Sequence, residues 1–270
     1  MRFAKAHAYG NDFLYVHESL VGGVDVQALA REMCNRHTGI GADGLILYAR
    51  DGAPVQMRLV NADGSPAEVS GNGVRALGAL VLLHERFVPA EITVETMAGA
   101  KRLTRLERDG PRQLFRSAMG LPAELREVQL PVSGESLAVV VLTFGNPQCI
   151  VLGPLPDEER FGRLGAALER HEYFPHRTNV EFAEVEAPDR IRILVWERGC
   201  GPTLSSGTGS CASLVAAATY GGAARSAEVI APGGAQRVDW RSDSVYLTGW
   251  AEVLCDGEWL RPLPRPGVQA

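Results

Sequence analysis

The chain has 270 residues, 46% apolar and 22% charged, with a formal net charge of −5 at pH 7. That length can bury one large core or two ordinary ones, and a mildly acidic balance with no Lys/Arg run excludes nucleic acid as a bulk partner. No apolar run approaches membrane-spanning length, and the polar opening MRFAKAHAYGNDF lacks the apolar core of a signal peptide, so the expectation is a cytoplasmic chain with no membrane partner.

In chain order, DFLYV (12–16) reads as a strand. A helical pattern follows over 25–36, with Asp25 as N-cap. GLILYA (44–49) and VQMRLV (55–60) read as strands, 70–86 as a helix and EITVE (91–95) as a strand. The second half repeats the mixture: strands AVVVLTF (138–144) and CIVL (149–152), a helix over 157–170, strand RIRILVW (190–196), a helix over 206–219 and strand VYLTGW (245–250). The pattern predicts a mixed α/β (α+β) protein. The connections around 109–125 and 249–262, richest in Gly, Pro and charge, mark lobe boundaries. They divide the chain into 1–113 plus 252–270 and 114–251.

One motif occurs twice. AEVSGNGVRALGALV (67–81) returns as TLSSGTGSCASLVAA (203–217), so Ser-Gly-x-Gly heads two helices that are small or apolar nearly all round. Such helices belong inside a sheet rather than on a surface. Each begins with Ser as a good N-cap, and its glycines let another molecule approach the backbone. The N–H groups and positive dipole end suit a carboxylate or phosphate, and two such ends could converge on one anion if the lobes face one another.

GNGVRA and GTGSCA also satisfy the dinucleotide-binding G-x-G-x-x-A pattern, with Glu95 suitably downstream. Against that reading, NADGSPAEV separates the glycines from their strand, and one cofactor site has no use for a second copy. The only lysines, Lys5 and Lys101, lie in no site-like context, which argues against pyridoxal phosphate. The six histidines show no metal-ligand spacing, so no metal and no cofactor are expected. Five cysteines, odd in number and without a CxxC pair, read as buried thiols in a reducing compartment.

HAYGNDF, RHTGIGADG, NADGS…GNGVR, GNPQC, RTNVEF and ERGCGPTLSSGTGSCA, in this order, resemble the diaminopimelate epimerase family, cofactor-independent amino-acid racemases. The resemblance implies two pseudo-symmetric lobes, each a mostly antiparallel sheet wrapped around a central helix, with an amino-acid substrate in the cleft between them. It implies interconversion of LL- and meso-diaminopimelate by moving one α-proton between two groups, in lysine and peptidoglycan precursor synthesis. A homodimer is left open.

The family places cysteine where this chain has Ser70 and Ser206, and usually histidine where it has Gln148. A thiol with an ordinary pKa near 8.5 is available as thiolate at a helix N-terminus, whereas a serine hydroxyl is not. The expectation is an epimerase impaired or altered at these two positions. The resemblance further assigns Asn11, Asn61, Asn146 and Asn179 to the substrate, although each also reads as a turn former. Glu197 would meet an ammonium and Arg198 a distal carboxylate, against the plainer reading of an exposed ion pair. Gly71, Asn72, Gly207 and Thr208 would supply backbone donors, and Asp43 reads as a turn or cap residue. Two alternatives stay open: a racemase, isomerase or dehydratase of the same fold acting on another amino acid, with Glu68, Glu197 or Asp63 as base, and a non-catalytic amino-acid binder. Cys211 reads as core, and Cys200 as nearer the site.

Overall fold

A helix that is small on every side is stable only where other structure encloses it. The computed structural model describes residues 1–50, 54–67, 69–87 and 90–267. Among these the α-helices are α1 (Val26–Cys34), α2 (Gly71–Val81), α3 (Glu158–Glu169) and α4 (Gly207–Tyr220). All four start at a side-chain cap, three of them foreseen from sequence. Asp25 accepts from Ala28 N at 3.0 Å, Asp157 from Arg160 N at 2.8 Å, and Ser70 and Ser206 from Gly73 N and Gly209 N at 3.1 Å. Helix α2 ends at Val81 rather than 86, because the chain beyond it turns and gives its carbonyls to buried Arg105. That guanidinium donates to Leu82 O (2.8 Å), Glu85 O (3.0 Å) and Phe87 O (2.6 Å).

The chain forms two compact units, Met1–Ser117 with Trp250–Ala270, and Ala118–Gly249. In the first, the strand order is 250–258, 2–8, 11–17, 44–49, 55–61, 90–96, 99–109, 112–118, and the last strand pairs with Val245–Glu258. Neighbours run antiparallel except 11–17 with 44–49 and 55–61 with 90–96. Parallel neighbours need a crossover, and α1 and α2 are those crossovers. In the second unit the order is 123–132, 135–143, 147–152, 179–187, 190–197, 226–231, 234–240, 245–249. Its parallel pairs are 147–152 with 179–187 and 190–197 with 226–231, crossed by α3 and α4. The topology is therefore duplicated, and so is the register: Val55 is aligned with Val94 as Ile191 is with Val229, and Leu59 with Ala67 as Val195 is with Thr203.

Each sheet wraps its central helix. Helix α2 buries Val74, Ala76, Leu77 and Ala79 against Phe13, Tyr15, Ile46, Val94 and Phe115. Helix α4 buries Cys211, Leu214, Val215 and Ala216 against Ile150, Ile193, Val195 and Val229, so Cys211 is core as its sequence position implied. The outer helices are amphipathic instead, α1 burying Leu29 and Met33 and α3 burying Leu164 and Leu168.

Two expectations fail. The units divide at 117/118 and 249/250, within 109–125 and 249–262, but much of those stretches is strand rather than connection, at Arg112–Ala118, Ala123–Val132 and Val245–Glu258. These strands put charge outward on alternate residues, and one of them turns Gln113 and Ser117 inward beside Phe115, which hid the apolar alternation. Cys34, Cys149 and Cys211 are buried but Cys200 and Cys255 are exposed, because both lie on solvent-facing backbone.

Arg105 satisfies carbonyls that the end of α2 leaves without helical partners. Arg105→Met will lower unfolding stability by roughly 2–4 kcal/mol in urea titrations, since each stranded buried acceptor costs about 1–3 kcal/mol. Arg108→Met, which removes an exposed bond to Leu83 O, will cost less than about 0.5 kcal/mol.

Candidate functional site

The first half of the candidate site sits at the start of α2. Gly10, at φ 85°, turns the chain between two adjacent strands and delivers Asn11 at the head of the second. Asn11 Nδ2 donates to Asp43 Oδ2 at 2.6 Å, leaving its Oδ1 3.5 Å from Ser70 Oγ, the outer limit of a hydrogen bond. Asp43 is held in turn by Arg36 at 2.8 Å, and Arg36 also pairs with Asp12 at 2.7 Å, which Lys5 meets at 2.9 Å. Burial raises the Asp12 carboxyl, but the hydrogen bonds from Arg36 and Lys5 outweigh it and hold the group below its ordinary range. Asp43 is thus more than a turn residue, and Lys5 does lie in a site-like cluster. Sequence reading missed both because residues seven apart in strand and loop share no pattern that signals contact; only the fold sets Lys5 against Asp12 and Arg36 against Asp43.

The other residues here serve local structure. Asn61 closes a turn, its Nδ2 donating to Ser65 Oγ at 3.0 Å while Ser65 O receives its N–H at 2.9 Å. Asp63 accepts from both the N–H and hydroxyl of Ser65, so its carboxylate is part of that same turn. Asn72 is buried, and its Oδ1 accepts from Arg75 one turn along the helix. Tyr15 donates to Gly73 O at 2.9 Å beneath the first turn. Glu68 lies outside the described residues.

The second half sits at the start of α4, built from the equivalent positions. Gly145, at φ 87°, delivers Asn146 as Gly10 delivers Asn11. Asn146 Nδ2 lies 3.3 Å from Thr208 Oγ1, and Gln148 Nε2 lies 3.2 Å from the same hydroxyl. Asn179 bridges: its Nδ2 donates to Pro147 O at 3.2 Å and its Oδ1 accepts from Arg198 N at 3.0 Å. Glu197 ends the strand 190–197, and the exposed Arg198 guanidinium donates to His176 O at 3.3 Å. Ser206, Gly207 and Gly209 are buried, and Cys200, expected nearer the site, is exposed in the loop before them.

The structure therefore gathers Asn11, Ser70, Gly71 and Asn72 at one helix start and Asn146, Asn179, Ser206, Gly207 and Thr208 at the other. Asn61 stands in a turn at a strand end. Both serines commit Oγ as acceptor to their own helix, and the first N–H groups of any α-helix have no carbonyl within it to bond. Each end can thus hold an anion on backbone donors, with a serine hydroxyl at the cap. Among the described residues no cluster of His, Cys, Asp or Glu is placed to hold a metal ion, and no helix is long and apolar enough to cross a membrane.

The fold is shared with solved structures of epimerases. A predicted epimerase from Pseudomonas aeruginosa superposes with a TM-score of 0.73 at 16% identity, covering 97% of this chain and 99% of that one. A hydroxyproline epimerase from Agrobacterium vitis gives 0.66 at 16% identity, covering 95% and 90%. The family model for diaminopimelate epimerase matches residues 3–123 and 140–254. Diaminopimelate epimerases from Desulforudis audaxviator (strain MP104C) and Pelotomaculum thermopropionicum are 40% and 38% identical, covering 97% and 96% of this chain and 100% and 99% of theirs. The chain belongs to the diaminopimelate epimerase family, an isomerase family.

Ser70→Ala and Ser206→Ala will each cost about 1 kcal/mol in urea unfolding and the glycine variants only a few tenths, the signature of an N-cap. A loss far above 2 kcal/mol would assign these hydroxyls a larger structural role.

Proposed function

We propose that the chain is a diaminopimelate epimerase that interconverts the LL and meso forms by proton transfer at one α-carbon without a cofactor. The observation that carries this reading is the duplicated helix start, Ser-Gly-x-Gly with a capping hydroxyl, in a chain of this family. Inverting a carbon needs one group to accept the proton and another to return one, and a duplicated fold supplies two equivalent groups. Ser70 and Ser206 fill those roles, with Asn11, Asn61, Asn146, Asn179, Glu197 and Arg198 holding the substrate's charged ends. As the α-proton leaves, charge builds on the carboxylate, and helix N–H donors stabilise it more in the transition state than before.

A hydroxyl is a far weaker acid than a thiol, so proton transfer through these serines is slow. That feature favours one second reading, stereoselective amino-acid binding without turnover. Substitution by cysteine leaves the cap in place, so chemistry and binding can be separated.

Incubation with LL-diaminopimelate in D₂O, followed by mass spectrometry, will show slow or no α-deuteration by the chain itself. The Ser70→Cys/Ser206→Cys variant will exchange at least about 100-fold faster, the usual scale of a positioned acid–base group. Binding by both chains with exchange by neither would leave the binder reading standing and remove the epimerase one.

A further inference from the structure

The duplication lets the two halves be compared position by position. Beneath α2, Ile46 Cδ1 lies 2.8 Å from the point where a Cβ on Gly73 would stand; beneath α4, Glu181 Oε1 lies 2.4 Å from the corresponding point on Gly209. Ile46 is aligned with Leu59 across its sheet as Glu181 is with Val195, so the two are register equivalents. A carboxyl group in one unit therefore replaces a hydrocarbon in the other, against the same helical turn. Ser206 Cβ lies 3.1 Å from that same point on Gly209, which puts the carboxyl next to the cap. Glu181 is fully buried, and no cation is among the groups acting on it.

Its surroundings are named element by element. From the strand 147–152 come Gln148 and Cys149; from the end of 190–197 comes Glu197. Helix α4 contributes no charged side chain, and Glu169 at the end of α3 is engaged with Gly199 N, Trp196 Nε1 and Arg177. Burial first, and then the charge of Glu197, push the Glu181 carboxyl well above the usual range. Burial likewise raises the Cys149 thiol, with Glu181 adding to it, so that sulfur stays protonated.

The amides around this carboxyl favour one orientation of Gln148 over its reverse. In the first, Gln148 turns its nitrogen to the Glu181 oxygens at 3.1 and 3.2 Å, and its oxygen accepts from Asn146 Nδ2 (3.1 Å), Asn179 Nδ2 (3.3 Å) and Thr208 Oγ1 (3.2 Å). That arrangement suits an ionised, acceptor-only carboxylate. In the reverse, the Gln148 oxygen faces the carboxyl and its Nε2, 3.2 Å from Thr208 Oγ1, also stands 3.1 Å from Asn146 Nδ2 and 3.3 Å from Asn179 Nδ2, donor against donor. Asn146 Nδ2 then uses Thr208 Oγ1 and Asn179 Nδ2 uses Pro147 O. This second arrangement gives the O–H of a protonated Glu181 an acceptor.

Resting on the epimerase reading, we propose that Glu181 is a positioning residue whose charge sets whether the α4 helix start holds the substrate's carboxylate. Neutral, it leaves the positive helix end to attract the anion. Ionised, it puts a competing negative charge against the same turn. By linkage, an anion arriving there draws a proton onto Glu181.

Calorimetric titration of the full chain with LL-diaminopimelate, in buffers of different ionisation enthalpy from acid to about pH 9, tests this, since buried glutamates titrate up to about that pH. The chain will take up a proton on binding, and its affinity will fall by up to about tenfold per pH unit once Glu181 ionises. Glu181→Gln will bind with no such uptake and without that fall; changes common to both chains belong to the ligand. A ligand-free check follows from the sign of the shift. Because the folded value is raised, the stability that Glu181 contributes is full below the ordinary glutamate range and is lost as pH rises through the raised value, and Glu181→Gln removes that loss. Binding with equal proton counts and equal pH profiles in both chains overturns the inference alone. Zero uptake by the unsubstituted chain does so even if the variant does not fold, whereas absence of binding by both chains at every pH overturns the epimerase reading with it.

Discussion

Enclosure of a helix by its own sheet is the constraint from which the rest follows. A helix surrounded by strands has no solvent face, so α2 and α4 are built mostly from Gly, Ala, Ser, Val and Leu, with the buried Arg75 as the main exception. The tightest approach is at the first turn, where a single added methyl on Gly73 or Gly209 would collide with the sheet. The same closeness brings polar groups of the strand ends to the helix start. A position that packing alone would fill with glycine thereby becomes the place where backbone donors, a hydroxyl and amide side chains meet.

The two starts are held by different physics. At α2 the scaffold is ionic: Lys5, Asp12, Arg36 and Asp43 form a linked set that ends on the Asn11 amide. Charge-assisted bonds are short and directional, so they fix Asn11 firmly. At α4 the scaffold is a set of neutral amides and a hydroxyl around one buried carboxyl. Neutral bonds are weaker than charge-assisted ones, so the two starts are held with different strength.

What could be read in the chain depended on how local its cause was. The helices and three of their caps were legible because Asp25, Ser70 and Ser206 each bond a backbone N–H three residues on; the Asp157 cap emerged only in the structure. Strands such as 44–49 and 190–197 were legible from their apolar runs. Strand 112–118 was not, because Gln113 and Ser117 occupy inward positions and its outer residues are charged. At the site, the repeated motif pointed to both helix starts, and resemblance supplied the asparagines. The sequence offered no signal for Arg36 and Asp43 acting together, nor for Glu181, whose meaning depends on a strand lying beneath a helix more than twenty residues away. A comparison of the halves by register, placing Ile46 opposite Glu181, is the signal that finds it.

The long strand Val245–Glu258 begins in one unit and ends in the other, where it lies beside Arg2–Ala8, with Met1 N bonded to Trp259 O at 2.7 Å. The unit that starts the chain is therefore completed by almost its last residues, and the other is an uninterrupted stretch inserted within it. On a ribosome the inserted unit has all its strands as soon as Gly249 emerges. The first strand of the chain must wait through that whole interval with one edge unpaired, exposed to other nascent chains. The order of synthesis thus runs opposite to the order of completion.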